Sequence, residues 1–224
     1  MSIQICCRSL NSFLFDKAMG FITLPYPKFR LTGTTNDNYL IRLFLSDCDW
    51  IINIDEDCFT IDNNEIQCLL DYMIENNYDY CGMPDGGVTT CRMTANPLVM
   101  NPFFNIFNIR SIQSKFNPLE ITRSDFGEDL LDKLPKHLMK CDDFDFKIHE
   151  RYSLVFYWLL RNFKPLWLDA NTLEDEITTE LLSHRGKPMC WHTWYAREYG
   201  RDDCHTVRID NTIKEVYARC CCNG

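Results

Sequence analysis

The chain has 224 residues, of which 46% are apolar and 13% are aromatic. This composition can build the core of one domain of ordinary size and excludes a disordered chain. The formal net charge of −9, from 23 basic and 32 acidic residues, argues against a nucleic-acid partner because a negative surface repels phosphate backbones. A nucleotide remains compatible with that charge, since one metal ion and one or two arginines can offset a diphosphate locally.

The thirteen cysteines are scattered along the chain, apart from a pair at 6–7 and a run at 220–222. No two have the C-x-x-C spacing that would indicate a zinc or redox motif. We therefore expect mostly reduced thiols that pack as small hydrophobes. The sequence contains neither a recognisable signal peptide nor an apolar stretch of transmembrane length, which favours a cytoplasmic location or one at the membrane periphery.

The first third of the chain has a mixed helix and strand pattern. A short apolar run at 3–7 predicts a strand, and apolar residues at helical spacing predict a helix over 36–45. The run Trp50–Ile54 is almost wholly apolar, as expected for a strand buried on both faces. A helix is predicted over 62–75, with Asp62 as N-cap and Glu65 completing a capping box.

The remainder of the chain continues this pattern less regularly. A strand is predicted over 78–83, followed by the turn sequence PDGG. A further helix is predicted over 150–162 and a strand over 165–168. Strand, helix and strand in succession predict a right-handed crossover and a parallel sheet. Because no linker interrupts the pattern, we expect residues 1–224 to form a single α/β domain.

Three acidic residues, Asp55, Glu56 and Asp57, directly follow the apolar run Trp50–Ile54. Ligands of open α/β sheets bind outside the carboxyl ends of the strands, and adjacent carboxylates repel one another unless a cation lies among them. Asp55 and Asp57 are two residues apart, so in an extended segment both point to one side. Both can then reach one hard cation such as Mg²⁺ or Mn²⁺. A solvated acidic turn is the alternative, because D-x-D alone is a common pattern.

The stretch SDCDWIINIDEDCFTIDNNEIQCLLDYMIENNYDYCG resembles the centre of a family 2-like GT-A glycosyltransferase, in which a strand delivers a D-x-D motif. The resemblance implies the GT-A (nucleotide-diphospho-sugar transferase) fold, with a central, mostly parallel sheet flanked by helices. It also implies that Asp55 and Asp57 hold Mn²⁺ or Mg²⁺ and that Asp55 and Glu56 contact the nucleotide-sugar. The preceding GTTNDNYLIRLFLSD resembles the helix before that strand, whose early residues often touch the nucleotide. Asn36 and Asn38 are the matching positions, although helix capping explains them equally well.

The stretch HERYSLVFYWLLRNFKPLWLDA resembles a later helix of the family, which begins with an acid able to act as catalytic base. An inverting transfer needs a carboxylate to remove the proton from the attacking acceptor hydroxyl. Glu150 is the candidate, with Asp145 and Asp143 as alternatives. Acids are also favoured in a first helical turn because they complement the helix dipole, so a structural role stays open.

The stretch GKPMCWHTWYAREYG resembles the C-terminal part of many GT-A enzymes, where a histidine is the third protein ligand of the metal. The resemblance implies that His192 joins the same ion and that Arg197 meets the diphosphate. A core histidine is the alternative, and His205 is the next candidate ligand. Asp85, in the PDGG turn, is implied to line the sugar pocket, although a tight turn explains it as well. The run NPLVMNPFFNIFNIR resembles an acceptor-side strand.

The resemblance covers roughly residues 36–197 and implies a hexosyltransferase of polysaccharide biosynthesis. Such an enzyme moves a sugar from a UDP- or GDP-sugar to a glycan or lipid-linked acceptor. Only 54 residues precede Asp55, so we expect an abbreviated N-terminal nucleotide-binding part. Two other functions fit the same residues: a catalytically inert binding protein on this fold, and a metal-dependent phosphoesterase.

Overall fold

A computed structural model of the protein describes residues 1–35, 37–146 and 150–222. Within these ranges the chain forms ten strands and seven α-helices, joined by loops and short 3₁₀ turns. The strands are β1 (Ile3–Arg8), β2 (Lys28–Leu31), β3 (Trp50–Ile54), β4 (Cys58–Thr60), β5 (Tyr80–Gly82), β6 (Phe104–Asn108), β7 (Pro165–Trp167), β8 (Ala170–Thr172), β9 (Thr179–Leu182) and β10 (Pro188–His192). The helices are α1 (Ser12–Gly20), α2 (Asn38–Phe44), α3 (Asn63–Glu75), α4 (Ile109–Gln113), α5 (Pro118–Arg123), α6 (Tyr152–Asn162) and α7 (Asp203–Cys222).

The main sheet has six strands in the order β2-β1-β3-β6-β5-β7. Strand β6 runs antiparallel to both of its neighbours, and the other pairings are parallel. The expected class, α/β with a central, mostly parallel sheet flanked by helices, is confirmed. The strand-helix-strand unit β3-α3-β5 keeps its two strands parallel, but they are not neighbours, because β6 lies between them.

The main sheet is buried on both faces, as the composition of β3 predicts. Trp50, Ile52 and Ile54 point to one face, where they pack with residues of α1, α3 and α7 in what we call the α3 core. Ile51 points to the other face and packs with residues of α2, α4 and α6 in the α6 core. This alternation follows from the two-residue period of a strand.

A second, antiparallel sheet has the order β4-β10-β9-β8 and joins the α3 core. Strand β4 begins at Cys58, directly after Asp57, and pairs with β10 so that His192 lies opposite Cys58. The backbone N–H of Thr193 then donates to the carbonyl of Asp57 at 2.9 Å. The register of this small sheet therefore carries the end of β10 to the acidic residues after β3.

The N-cap predicted for the helix at 62–75 is confirmed: the Asp62 carboxylate accepts the N–H groups of Asn64 and Glu65, and α3 runs to Glu75. The predicted capping box is wrong. The buried Glu65 carboxylate turns away from the helix end and accepts from Ser183 and Arg185 of the β9–β10 turn. A charged partner on the neighbouring turn replaces the backbone N–H that a capping box would use.

Other element boundaries shift by a few residues. Helix α2 begins at Asn38, whereas Asn36 lies outside the described residues. Helix α6 begins at Tyr152, two residues after Glu150. Two βα units, β1-α1 and β2-α2, precede β3. Among the helices within the described ranges, none is both long and apolar enough to cross a membrane.

Candidate metal centre and its cleft

Asp55, Asp57 and His192 converge at the carboxyl end of β3. One ligand atom from each lies within 4.8 Å of the others, and His192 Nε2 is 3.2 Å from Asp57 Oδ1. Asp57 and His192 are buried, and Asp55 is half-buried. Residues far apart in the sequence thus form the three-residue group that the resemblance implied.

Backbone pairing fixes the acidic residues of this group. The N–H of Asp55 donates to the carbonyl of Phe103 at 2.8 Å, just beyond the last register pair between β3 and β6. Asp57 is held by Thr193, whose N–H and hydroxyl both reach the Asp57 carbonyl. The residue before β6 therefore fixes Asp55, and the residue after β10 fixes Asp57.

Aromatic rings orient the imidazole of His192. Its ring stacks on Phe103, with centroids 4.2 Å apart and planes 7° from parallel. Trp194 lies at 4.4 Å from the same ring. The Nδ1 atom is buried and has no hydrogen-bond partner among the described residues, so Nε2 is the ring nitrogen that faces the carboxylates.

Electrostatics of the two aspartates differ because only one of them contacts the imidazole. Burial, reinforced by the charge of Asp57, raises the pKa of Asp55 well above its ordinary value. Burial also opposes ionisation of Asp57, but the charge and hydrogen bond of His192 outweigh it and lower the pKa of Asp57. Two carboxylates and one imidazole at this spacing suit a divalent cation.

The metal group opens into a cleft of about 400 Å³. Both signs of charge line this cleft: the carboxylates of Asp55, Glu56, Asp57, Glu150 and Glu198, and the guanidinium groups of Arg8, Arg92 and Arg197. The sequence-based candidates Glu150 and Arg197 thus share one cleft with the metal group. The two alternatives to Glu150, Asp145 and Asp143, are not among the described residues that line the cleft. The backbone N–H of Asp145 donates to the carbonyl of Thr94.

Glu56 has a well-defined structural role. Its Oε2 atom accepts from the hydroxyl of Ser9 at 2.6 Å and from the N–H groups of Leu10 and Asn11 at 3.0 and 2.7 Å. These bonds tie the loop between β1 and α1 to residues 55–57, which carry the two aspartates of the metal group. Glu56 still lines the cleft, so its place at the nucleotide-sugar stays a prediction.

Asp85 is buried behind the cleft wall rather than exposed in it. Its carboxylate forms an ion pair with Arg92 and accepts from Asn101 Nδ2 at 2.5 Å and from the Tyr152 hydroxyl at 3.4 Å. All three partners line the cleft. Asp85 therefore acts on the cleft by positioning these side chains, beyond the tight turn that its sequence context suggests.

Several cleft residues were not identified from the sequence. Arg8 ends β1, and its guanidinium lies 5.4 Å from the centre of the Tyr39 ring. The available signal for Arg8 in the sequence was its position directly after the apolar run at 3–7. Arg92, Asn101 and Tyr152 come from separate loops and a helix start, and only the tertiary fold brings them together.

Two other sequence-based candidates lie away from the metal group. Asn38 is the exposed first residue of α2 and does not line the cleft within the described residues. His205 lies on α7, where its ring stacks on Tyr195 at 4.3 Å and its Nδ1 is 3.4 Å from Arg208 Nη2. His205 is not part of the candidate metal group found among the described residues.

Comparison with known proteins gives no sequence match: neither a family model nor a curated protein matches the chain. Solved structures with similar folds include A197 from STIV, with 12% identity, coverage of 84% of this chain and 93% of that chain, and a TM-score of 0.44. A glycosyltransferase involved in the glycosylation of the major capsid of PBCV-1 has 9% identity, coverage of 75% and 82%, and a TM-score of 0.45. Mannosyltransferase PcManGT from Pyrobaculum calidifontis, in complex with GDP-Man and Mn²⁺, has 6% identity, coverage of 75% and 54%, and a TM-score of 0.42. At these identities the likeness concerns the fold alone.

Proposed function

We propose that the protein is a metal-dependent GT-A glycosyltransferase that moves a sugar from a UDP- or GDP-sugar to a glycan or lipid-linked acceptor. The observation that carries the proposal is the convergence of Asp55, Asp57 and His192 at the carboxyl end of β3, in one cleft with three arginines. Charge of both signs in one cleft suits a ligand that is bound through a cation and through its own phosphates.

Asp55, Asp57 and His192 would hold the metal ion, Mn²⁺ or Mg²⁺. When bound, such an ion acts as a Lewis acid that stabilises the charge on the leaving diphosphate. The stacked ring of Phe103 keeps Nε2 of His192 facing the Asp57 carboxylate. The bonds from Thr193 keep the Asp57 backbone in place.

Arginines of the cleft would bind the diphosphate and the sugar. The charge of Arg92 is balanced by Asp85. Arg92 is therefore suited to donate hydrogen bonds to sugar hydroxyl groups as well as to a phosphate. Both Arg197, which is exposed, and Arg8, which is half-buried, line the cleft, so both can donate to phosphate oxygens. These cations offset a diphosphate locally on a chain whose net charge is −9.

Glu150 is the candidate catalytic base. It lines the same cleft as the metal group, which a base must do to reach an acceptor hydroxyl near the donor sugar. Asp145 is the alternative on the same segment of chain. The base removes the hydroxyl proton while the acceptor oxygen bonds to the anomeric carbon and the diphosphate leaves.

The first experiment measures nucleotide binding by calorimetry. GDP-mannose and UDP-glucose are titrated into the protein with Mn²⁺ and with a chelator. We expect Mn²⁺-dependent binding of one donor, weakened by about a hundredfold in Asp57→Asn because a direct ligand is lost. Asp47→Asn is the matched control, since the Asp47 side chain is 96% exposed on the loop before β3. Unchanged affinity in Asp57→Asn would remove the metal assignment.

Product analysis then separates transfer from hydrolysis. Mass spectrometry of a reaction with donor, Mn²⁺ and a glycan acceptor should detect the acceptor with one added sugar. Release of free sugar without any acceptor product would favour the phosphoesterase. Absence of donor binding in the presence of Mn²⁺ would favour the inert binding protein.

A further inference from the structure

A second cavity, of about 450 Å³, lies between the start of α1 and the segment 196–201. We call it the α1 cavity. It adjoins the cleft that contains the metal group, which we call the metal cleft. The lining residues that the two cavities share are Leu10, Glu56, Ala196 and Arg197.

Two arginines without a counter-ion line the α1 cavity. Arg197 and Arg201 are both exposed, and neither forms an ion pair within the described part of the chain. Acidic residues outnumber basic ones by 32 to 23 in this protein, so unpaired guanidinium groups side by side in a cavity need an explanation. An anionic ligand supplies one, because it provides the missing counter-charge.

Glu56 contributes a carboxylate to the same lining, but its charge is already engaged. The residue is 5% exposed. Its Oε2 atom accepts from the Ser9 hydroxyl and from the N–H groups of Leu10 and Asn11. Two exposed cations therefore face one buried, hydrogen-bonded carboxylate, which disfavours a cationic ligand and favours an anionic one.

The segment that carries both arginines is held in place. Its backbone forms a 3₁₀ turn over Ala196–Glu198, and the N–H of Arg201 donates to the carbonyl of Glu198 at 2.9 Å. Tyr199 stacks on Phe13 of α1 with ring centres 5.5 Å apart, and its hydroxyl donates to Asp210 of α7 at 2.8 Å. The two guanidinium groups thus extend from a backbone that is anchored to two helices.

The opposite wall of the α1 cavity is the N-terminus of α1. This helix has nine residues and no acidic residue in its first turn, so the partial positive charge of its N-terminus adds to that of the arginines. Ser12 is exposed there and offers a hydroxyl group. A phosphate group fits this wall and the arginines together, because its several oxygens accept from donors on different sides, whereas a carboxylate has two.

A phosphate in the α1 cavity is distinct from a diphosphate at the metal group. Arg201 lines the α1 cavity and is not among the described residues that line the metal cleft. Conversely, Asp55, Asp57 and His192 line the metal cleft and are not among the described residues that line the α1 cavity. A phosphate beside Arg201 is therefore bound by protein groups and does not require the ion.

We propose that the α1 cavity binds a phosphate group of the acceptor, through Arg201 and Arg197 and without the metal ion. The shared wall of the two cavities places this phosphate next to the site of transfer. This inference rests on the proposed function, which it deepens by naming the acceptor class as a phosphate-bearing one. A soluble glycan phosphate and a lipid phosphate both have this chemistry.

The test measures binding by calorimetry in the presence of a chelator, so that no ion fills the metal group. Inorganic pyrophosphate and glucose 1-phosphate are titrated into the protein. We expect both to bind the wild type and to bind Arg201→Gln about tenfold more weakly, because one charge-assisted hydrogen bond is lost. Arg123→Gln is the matched control: Arg123 is exposed at the end of α5 and lines neither cavity among the described residues.

Ser12→Asp tests the same cavity by repulsion and protects the test against a folding artefact. A carboxylate in the first turn favours the helix, so the variant should fold, yet its charge should weaken pyrophosphate binding by about tenfold or more. An isoprenyl phosphate in detergent micelles distinguishes the two sources of phosphate. Tighter binding of the isoprenyl phosphate than of glucose 1-phosphate, lost in Arg201→Gln, would assign a lipid acceptor; the reverse order would assign a soluble one.

Four results would overturn the proposal. They are no phosphate binding without metal, equal binding by Arg201→Gln and the wild type, an equal loss in Arg123→Gln, and binding of glucuronate as tight as that of glucose 1-phosphate. Titration of GDP-mannose and UDP-glucose with Mn²⁺ into Arg201→Gln adds a fifth criterion. We expect unchanged donor affinity, and a tenfold loss would assign the α1 cavity to the donor instead.

Failure of the α1 cavity and failure of the proposed function give different results. Absence of donor binding by the wild type with Mn²⁺ counts against the glycosyltransferase. Absence of phosphate binding in the chelator, with donor binding intact, counts against the α1 cavity alone.

Discussion

Asp85 joins one buried carboxylate to three side chains of the metal cleft, through Arg92, Asn101 and Tyr152. We predict that Asp85→Asn lowers the free energy of unfolding by about 3 kcal/mol, because a broken buried ion pair leaves Arg92 without its counter-charge. The value lies at the lower end of the usual range since the Arg92 side chain is 33% exposed. Chemical denaturation of both proteins measures the difference.

The control for this prediction is Asp47→Asn, which removes an aspartate paired with Arg110 at the surface. Exposed ion pairs contribute little, so the control should unfold close to the wild type. If Asp85→Asn and Asp47→Asn lose equal stability, Asp85 does not organise the cleft in the way its contacts suggest.

At the residue scale, sequence reasoning was strongest where a local pattern coincided with a family resemblance. Asp55 and Asp57 were recognisable because a buried strand ends in acids, and His192 was recognisable only through the resemblance. Asp85 was noticed but not its partner Arg92, because their pairing depends on how the loop after β5 folds back. No periodicity in the sequence encodes such a loop contact.

Helix α3 and the β9–β10 turn are joined through Glu65. Burial opposes the charge of this carboxylate, but hydrogen bonds from Arg185 and Ser183 outweigh it and hold the pKa of Glu65 below its ordinary value. We predict that Glu65→Gln destabilises the protein by about 1.5 kcal/mol, the lower end for hydrogen bonds to a charged group, because Arg185 is partly exposed. Thermal unfolding checks the value.

The pH dependence of that difference has a definite sign. Because the folded pKa is lowered, the contribution of Glu65 is complete above the ordinary carboxylate pKa of about 4.3 and is lost as pH falls through the folded pKa. The gap between wild type and Glu65→Gln should therefore close in acid. Glu75→Gln, exposed at the last residue of the same helix, should show no such gap; a gap that persists in acid would contradict the prediction.

At the element scale, long periodic or wholly apolar segments were predictable, and short antiparallel strands were not. β3 and α3 were located to within a residue or two. β4 and β8 have three residues each, too few for a pattern to repeat. Helix α7 was missed, although Ile209, Ile213 and Val216 give it a buried face at helical spacing.

At the scale of the whole molecule, the α/β class followed from strands that are buried on both faces and alternate with helices. The reversed β6 and the second sheet did not follow, because strand direction depends on pairing rather than on composition. That second sheet brings His192 to Asp57 through the β4–β10 register. The part of the fold that was hardest to foresee is therefore the part that completes the candidate metal site.

Cysteines on the two faces of the main sheet test whether residues 1–224 behave as a single cooperative unit. Cys81 belongs to the α3 core and Cys48 to the α6 core, and both are fully buried and free. Burial raises the pKa of Cys81 to about 12 and that of Cys48 to about 11. A thiol reacts as its thiolate, so we predict that neither reacts with a thiol reagent in the folded state. In urea both should become reactive at one common midpoint, with ordinary pKa values of about 8.5.

Mass spectrometry of peptides labelled at increasing urea concentrations measures each site separately. Cys204, which is exposed on α7, is the control and should be labelled without urea. Most of the 13 cysteines should also be labelled in the denatured, unreduced protein, because ten of them are free thiols in the described part of the chain. Because the strands between the two cores are shared, loss of either core exposes the other. Separate midpoints for Cys48 and Cys81 would instead show that the two faces of the sheet unfold independently.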